Sequence, residues 1–209
     1  MSKNEYAKSV FINCPFDEDY QPLLHAILFV VIYLGFKPRI SLEKFDSGEP
    51  RFQKICELIR SCQYGIHDLS RIKSRTVNEY FRFNMPFELG LDIGCKVFQP
   101  ENYSDKQILI LEKEKYRYQA ALSDLASSDI MHHDNEPENV VRNIRNWFVT
   151  NIGVNAGSPT KIWYAYNDFL TKYHIERKSE GFSDKDIYDM PLNEFTGHIK
   201  KWVNVNTKP

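Results

Sequence analysis

The sequence predicts an α/β fold in which a parallel sheet carries helices on both faces, followed by a helical C-terminal extension. Short apolar runs of the kind found in buried strands recur between residues 9 and 134, and segments with helical spacing lie between them. Such alternation is typical of a parallel sheet that is covered on both sides. We place the α/β domain at residues 1–153 and the helical extension at residues 154–209.

Composition and charge narrow the class of protein. The chain has 209 residues, is 42% apolar and 14% aromatic, and carries a net charge of −1. These values indicate a folded protein and argue against direct nucleic-acid binding, which calls for a basic surface. The four cysteines lack metal-site spacing, and the polar N-terminus does not resemble a signal peptide. We therefore expect a cytoplasmic protein with reduced cysteines.

One stretch is apolar enough to be tested as a membrane segment. Residues 23–34 are apolar except for His25, and Gly35 follows them. The stretch is too short to cross a bilayer, so we expect a buried helix and no membrane partner. A helix that is apolar on all sides must be covered on all sides. The sheet would cover one side, and either the C-terminal extension or a second subunit would cover the other.

The remaining elements follow from local patterns and from turn residues. The predicted strands are residues 9–14, 37–43, 64–68, 96–98 and 129–134, and residues 107–111 are either a further strand or a short buried segment. Helices are predicted at 21–34, from Pro50 onwards, at 84–94, 116–125 and 136–148, and at two amphipathic patterns around 162–173 and 192–203. Residues 69–81 form a polar connection.

Residues 82–96 provide the first candidate for chemistry. Pro86 suits the first turn of a helix, because its missing N–H would be unpaired there, and Asn84 is placed to be the N-cap. Glu88 would then lie in the first turn, where the helix dipole favours a carboxylate. In an α/β unit this position is at the carboxyl-end rim of the sheet, where such folds bind ligands.

Three segments resemble the superfamily of TIR domains and nucleoside 2-deoxyribosyltransferases. They are Phe11-Ile-Asn-Cys-Pro-Phe16 at the first strand and turn, Asp68 at the end of the third strand, and Phe87-Glu-Leu-Gly90 on the next helix. The resemblance covers about residues 9–150. It implies a flavodoxin-like sheet and cleavage of an N-glycosidic bond, with NAD as the favoured substrate and not as a cofactor.

The resemblance also implies roles and partners. Many bacterial members are predicted nucleotide-binding or immune effector proteins, which implies a nucleotide substrate, a homo-oligomer and an activating defence partner. The catalytic role falls on Glu88. Breaking the bond between C1′ and a base nitrogen builds positive charge on the sugar, and a carboxylate beneath C1′ stabilises or traps that charge. The alternative is that Glu88 only complements the helix dipole.

The loop after the third strand supplies further candidates. Asp68 is predicted to bind ribose hydroxyls or, alternatively, to use its carboxylate on nearby N–H groups in a turn. Ser70 belongs to the same candidate site, and Arg71 beside it could hold a phosphate. His67 should point away from Asp68, since neighbours on a strand alternate, and a buried structural role is expected for it.

Two other groups of residues complete the predicted substrate site. Arg51 could contact a pyrophosphate as a bidentate donor, or pair with a nearby glutamate. Arg82 and Asn84 flank the candidate carboxylate, although an N-cap role is the simpler assignment for Asn84. The resemblance places the nucleotide at Asn13, Pro15 and Phe16, with Phe16 stacking on the base or else packing in the core.

Other kinds of site have weaker support. Adjacent histidines on a strand, such as His132 and His133, point to opposite faces, so we predict no metal site there. The chain has no P-loop, no GxGxxG motif and no Ser-His-Asp signature. The alternative to an enzyme is a non-catalytic, nucleotide-sensing or self-assembling module of the same fold.

Overall fold

The computed structural model of the chain describes residues 2–43, 48–71, 83–120, 122–125 and 128–207. Its strands are β1 (Ser9–Asn13), β2 (Lys37–Ile40), β3 (Tyr64–Asp68), β4 (Gln107–Glu112) and β5 (Ile130–His132). They form one sheet in the order β2-β1-β3-β4-β5, and every neighbouring pair is parallel. This order is that of the flavodoxin-like fold. The predicted fold class is therefore confirmed.

Helices connect the strands and continue beyond the sheet. They are α1 (Lys3–Tyr6), α2 (Gln21–Tyr33), α3 (Arg51–Arg60), α4 (Asn84–Phe98), α5 (Pro100–Tyr103), α6 (Pro137–Trp147), α7 (Pro159–Ser179), α8 (Asp184–Tyr188) and α9 (Leu192–Asn206). A π-helical turn, Phe148–Ile152, follows α6 directly, and Gly153 ends it with a positive φ. Within the described part of the chain, no helix is long and apolar enough to cross a membrane.

The sheet separates two apolar layers. Val10 and Ile12 of β1 belong to the cluster formed with α2, α6 and the C-terminal helices. Phe11, between them, belongs to a cluster with residues of α3 and α4 on the opposite face. This division follows the alternation of side chains along a strand. Helices therefore lie on both faces, with α2 and α6 on one and α3 and α4 on the other.

The central helix of the first layer is α2. Its residues from Leu23 to Ile32 are buried except His25, and Gly35, with φ 82°, allows the chain to turn beyond it. The ring of Phe29 lies 5.6 Å from that of Phe169 in α7 and 5.7 Å from that of Trp202 in α9. The C-terminal extension therefore covers the outer side of α2, and the two predicted segments share one core.

Two predicted elements are wrong. Residues 96–98 form the last turn of α4 and not a strand, and Val97 and Phe98 are 59% and 83% exposed. The fourth strand is Gln107–Glu112, which is long and buried enough for the sheet interior. The predicted helix at 116–125 is replaced by two short 3-10 segments, Arg117–Ala120 and Ser123–Leu125. Tyr116 has φ 61°, in the left-handed region that no α-helix contains.

The start of α4 also differs from the prediction. Phe83 is the N-cap and already has helical backbone angles, so Asn84 is the first residue of the helix and caps nothing. Glu88 consequently lies in the second turn, beyond the part of the helix where the dipole favours a carboxylate. Its position is determined by the buried face of α4, which contains Met85, Leu89 and Asp92 as well.

Candidate functional site

The sheet order creates a crevice between β1 and β3. The helices that follow these two neighbouring strands, α2 and α4, lie on opposite faces of the sheet. Ligands of open α/β sheets bind at such a switch point, outside the carboxyl ends of the strands. Cys14 follows β1 here and is buried. Burial raises the pKa of its thiol well above the usual range, and the charges of Asp68, Glu88 and Asp17 add to this effect. These carboxylates therefore surround the end of β1.

Glu88 is the unusual carboxylate of this crevice. Its side chain is buried, with only 7% of the residue exposed. Among the residues that the structure describes, none donates a hydrogen bond to it. Burial raises the pKa of Glu88 to about 7, and the positive charge of Arg51 acts in the opposite direction. A buried carboxylate without a partner is rare in a folded protein, because the charged form loses its hydration.

Arg51 faces Glu88 from the start of α3. Its Nη2 lies 3.5 Å from the Oγ of Ser41, and the side chain is otherwise exposed. The predicted alternative, an ion pair with Glu43, does not form, because Arg39 binds that carboxylate with Nη2 2.6 Å from Oε1. The described residues, Glu49 included, offer the guanidinium no ion pair and no hydrogen bond besides that to Ser41.

An exposed aromatic pair is formed by the sequence neighbours of Arg51 and Glu88. Phe52 follows Arg51 in the chain, and Phe87 precedes Glu88. Their side chains are 54% and 56% exposed. Their ring centroids lie 6.1 Å apart and their planes differ by 32°. Exposed aromatic rings beside a polar crevice are suited to stacking against a flat ligand. Neither residue was among the predicted site residues, although each is adjacent in sequence to one.

Asp68 has no free carboxylate oxygen. Its Oδ1 accepts the backbone N–H of Ser70 at 2.8 Å, and its Oδ2 lies 2.9 Å from Nε2 of His133. Asn135 donates its backbone N–H to Nδ1 of His133, so the hydrogen of this ring is on Nε2 and points to Asp68. Asp68 and His133 are fully buried. The carboxylate therefore accepts a turn-forming hydrogen bond, as the predicted alternative has it, whereas its contact with ribose stays a prediction.

Ser70 belongs to the same hydrogen-bonded group as Asp68 and His133. Its Oγ lies 3.0 Å from the same Nε2 of His133, and its carbonyl oxygen accepts a hydrogen bond from Arg117. In a catalytic triad the acid and the hydroxyl contact different nitrogens of the histidine. Here both contact Nε2, so these three residues stabilise the loop and do not form a triad. Ser70 thus has a structural role, and its contact with substrate stays a prediction.

Asn13 connects the end of β1 to α4. Its Nδ2 donates to the carbonyl oxygen of Met85 at 2.9 Å and to Nδ1 of His67 at 3.0 Å. The Met85 carbonyl can only accept, which fixes the orientation of the amide and puts the hydrogen of His67 on Nε2. Asn13 is 4% exposed, and its amide joins β1 to α4; its contact with a nucleotide stays a prediction.

The chain of contacts continues into the protein interior. Nε2 of His67 lies 3.0 Å from Oδ2 of Asp92, and Nζ of Lys106 lies 3.0 Å from the other oxygen of Asp92. All three side chains are fully buried. A Cβ on Gly65 would be 2.3 Å from Oδ2 of Asp92, so only glycine fits beside this group. As predicted, His67 points away from Asp68 and is a buried structural residue.

The other predicted residues are Pro15, Phe16, Asn84 and Arg82. Pro15 is buried, and Phe16 packs against the α2 layer, where it borders a cavity formed with Tyr188 and Met190. The stacking role proposed for Phe16 is therefore replaced by its core alternative. Asn84 is exposed at the start of α4. Arg82 lies outside the residues that the structure describes.

Arg71 and the two adjacent histidines have structural roles. Arg71 binds Asp17 with two hydrogen bonds of 3.0 and 2.6 Å, so its guanidinium is already paired. His132 is partly exposed and His133 is buried, as alternation along a strand requires. In the described ranges, no group of three histidine, cysteine or acidic side chains could hold a metal ion.

The sequence was also compared with known proteins. No model of a known protein family matches the chain, and the search of curated proteins finds no match either.

Proposed function

We propose that this protein is a TIR-like N-glycosidase that cleaves the glycosidic bond of NAD or a related nucleotide, with Glu88 as the reacting carboxylate. The observation that supports this proposal is the state of Glu88. It is buried at the switch point of the sheet and has no partner among the described residues. Buried carboxylates that serve the fold are normally paired, as Asp68 and Asp92 are here.

The chemistry follows from the charge that develops during the reaction. As the bond between C1′ and the base nitrogen breaks, its electron pair leaves with the base and the sugar becomes oxocarbenium-like. A carboxylate in a crevice of low dielectric stabilises this positive charge more strongly than one in water. Water then adds to C1′ and releases a proton, which gives the free base and the sugar product.

The pKa of Glu88 fits this role near neutral pH. With a pKa of about 7, both the protonated and the charged form of Glu88 are populated around neutral pH. The nicotinamide ring of NAD⁺ is a cation, so its approach favours the charged form of Glu88. Substrate binding thus converts the remaining protonated molecules into the reactive form.

Arg51 and the aromatic pair supply binding groups around this carboxylate. The guanidinium of Arg51 suits a diphosphate, which it can bind with two parallel hydrogen bonds. Phe52 and Phe87 provide faces on which a base can stack. Asn13, Asp68 and Ser70 contribute by holding the strand ends in place, without contacting the ligand. As with the enzymes it resembles, we propose that the chain acts as a bacterial immune effector with an activating partner.

Incubation of the purified protein with NAD⁺, ATP and deoxynucleosides, followed by chromatography, tests the proposal. We expect release of nicotinamide or of another free base. Glu88→Gln should lower the rate by about 100-fold or more, because the carboxylate acts on the transition state. Glu101→Gln, at an exposed glutamate of α5, should leave the rate unchanged. Equal activity of the wild type and Glu88→Gln would contradict the assignment.

A second candidate function is a non-catalytic, self-assembling nucleotide sensor. One observation favours it: the outer surface of α4 exposes Phe83, Phe87, Val97 and Phe98, which suit contact with a second copy of the chain. Light scattering after gel filtration would test this, with and without NAD⁺. A dimer that Phe98→Lys separates, together with nucleotide binding but no product, would favour the sensor over the enzyme.

A further inference from the structure

Two hydrogen bonds attach α4 to the sheet, one on each side of Glu88. Asn13, at the end of β1, donates from Nδ2 to the carbonyl oxygen of Met85 at 2.9 Å. His67 of β3 has its Nε2 3.0 Å from Oδ2 of Asp92. Met85, Glu88 and Asp92 share the buried face of α4, with about one helical turn between neighbours. The two attachments therefore determine where the turn that carries Glu88 lies on the sheet.

His67 connects these two attachments. Its Nδ1 accepts a hydrogen bond from Asn13 at 3.0 Å, and its Nε2 donates to Asp92. The ring is 0% exposed, so it does not line the crevice and contacts no ligand there. Its surroundings leave it little room: the ring of Phe11 packs against it with 5.7 Å between centroids, and a Cβ on Gly65 would be 2.9 Å from its Nε2. Any influence of His67 on a reaction in the crevice therefore passes through the residues that it holds.

A small displacement of α4 is enough to change a reaction at Glu88. An error of about 1 Å in the position of a reacting group can lower a rate about 100-fold. We propose that His67 is a positioning residue, which holds α4 so that the carboxylate of Glu88 stays buried beside the end of β1. This role rests on the proposed function, in which Glu88 is the carboxylate that reacts. Nζ of Lys106 lies 3.0 Å from the other oxygen of Asp92, so this carboxylate keeps one partner when His67 is replaced.

Three replacements of His67 separate its two hydrogen bonds. Leucine has a similar volume and removes both of them. Glutamine can place an amide N–H where Nε2 donates to Asp92, and asparagine can place its oxygen where Nδ1 accepts from Asn13. We expect His67→Leu to lower kcat for NAD⁺ about tenfold per folded molecule and to change KM by less than about threefold, because Arg51 on α3 is not moved. His67→Gln should bring kcat back to within about threefold of the wild type, since it restores the bond to α4, whereas His67→Asn should restore less.

The titration of Glu88 reports its position without any substrate. Its carboxyl carbon can be followed by NMR as the pH changes, and the signal is assigned by its loss from the spectrum of Glu88→Gln. Burial raises the pKa of Glu88 to about 7 in the wild type. In His67→Leu we expect this pKa to fall towards its usual value of 4.5, because a displaced carboxyl group regains water, and in His67→Gln we expect it to stay near the wild-type value. The charge of Arg51, which also acts on this pKa, is the same in every variant.

A histidine on the opposite face of the sheet provides the matched control. His25 of α2 stacks on the ring of Phe195 in α9 at 4.0 Å. His25→Leu should leave kcat and the titration of Glu88 unchanged, even where it changes the free energy of unfolding. A loss of stability without these two effects is also what a purely structural role of His67 would give.

The proposal is overturned if Glu88 titrates in His67→Leu as it does in the wild type, if an active wild type and His67→Leu have the same kcat per folded molecule, or if His67→Gln is impaired as much as His67→Leu. The titration decides the role of His67 even where the wild type cleaves no nucleotide, an outcome that would contradict the proposed function alone.

Discussion

Replacing Glu88 by glutamine should change how stability depends on pH. The pKa of Glu88 is about 7 in the folded protein, against a usual value of 4.5. Between these values the folded state binds more protons than the unfolded state, so wild-type stability falls as the pH rises through this window. One pKa unit corresponds to about 1.4 kcal/mol, which gives a difference of at most about 3 kcal/mol. Glutamine has the same shape as glutamate and does not ionise, so the variant does not lose this stability as the pH rises.

Urea unfolding of both proteins between pH 4 and pH 8.5 measures this difference. We expect the variant to gain stability relative to the wild type, by up to about 3 kcal/mol, as the pH rises from 4 to 8. A change in the free energy of unfolding that the new amide causes at every pH shifts the whole curve of the variant and does not alter its slope with pH. Parallel curves for the two proteins would mean that the pKa of Glu88 is close to its usual value, and the argument for an unpaired, buried carboxylate would then be wrong.

Three further changes test other parts of the structure. Gly65→Ala should reduce the free energy of unfolding by about 2 kcal/mol, because its Cβ would be 2.3 Å from Oδ2 of Asp92; an unchanged urea midpoint would contradict the tight packing there. Phe29→Ala should cost about 3–5 kcal/mol and make the C-terminal helices sensitive to limited proteolysis, since this ring joins them to α2; a stable, resistant variant would show that the two segments do not depend on each other. With the proposed function, Arg51→Gln should raise the KM for NAD⁺ about tenfold at pH 8.5, because a charge-assisted bond to phosphate is lost, and should move the pH dependence of kcat to higher pH, because the charge of Arg51 lowers the pKa of Glu88; a fall in kcat alone at pH 8.5 would remove Arg51 from substrate binding.

The sequence was sufficient to predict the architecture because the main signals are local. Buried strands and capped or Pro-marked helices alternate, and the stretch from Leu23 to Ile32 can only be a covered helix. The error at residues 96–98 has a physical reason. Val97 and Phe98 have strand-like side chains, but α4 continues through them and leaves them exposed. Propensity and hydrophobicity alone do not show which apolar residues become buried.

The site was less predictable, because its pairings join residues that are far apart in the chain. His133 is 65 positions from Asp68 in the chain and forms a hydrogen bond with its carboxylate, and no local pattern reveals this contact. Lys106 reaches Asp92 from the loop before β4, in the same way. A carboxylate at the carboxyl end of a strand can therefore be predicted to lie near a site, but its availability depends on such distant partners.

Glu88 and Asp92 show how this difference separates a structural carboxylate from a reactive one. They are one turn apart on the same buried face of α4. Burial raises the pKa of Asp92, but its hydrogen bond to His67 and the charge of Lys106 outweigh this effect, so its pKa is lower than usual. Glu88 is also buried but has only the distant charge of Arg51, so its pKa is higher than usual. Neighbouring acids whose surroundings move their pKa values in opposite directions often have different roles. Here Asp92 anchors α4 to the sheet, whereas no described residue donates a hydrogen bond to Glu88, and this contrast is the reason why we propose Glu88 as the reacting carboxylate.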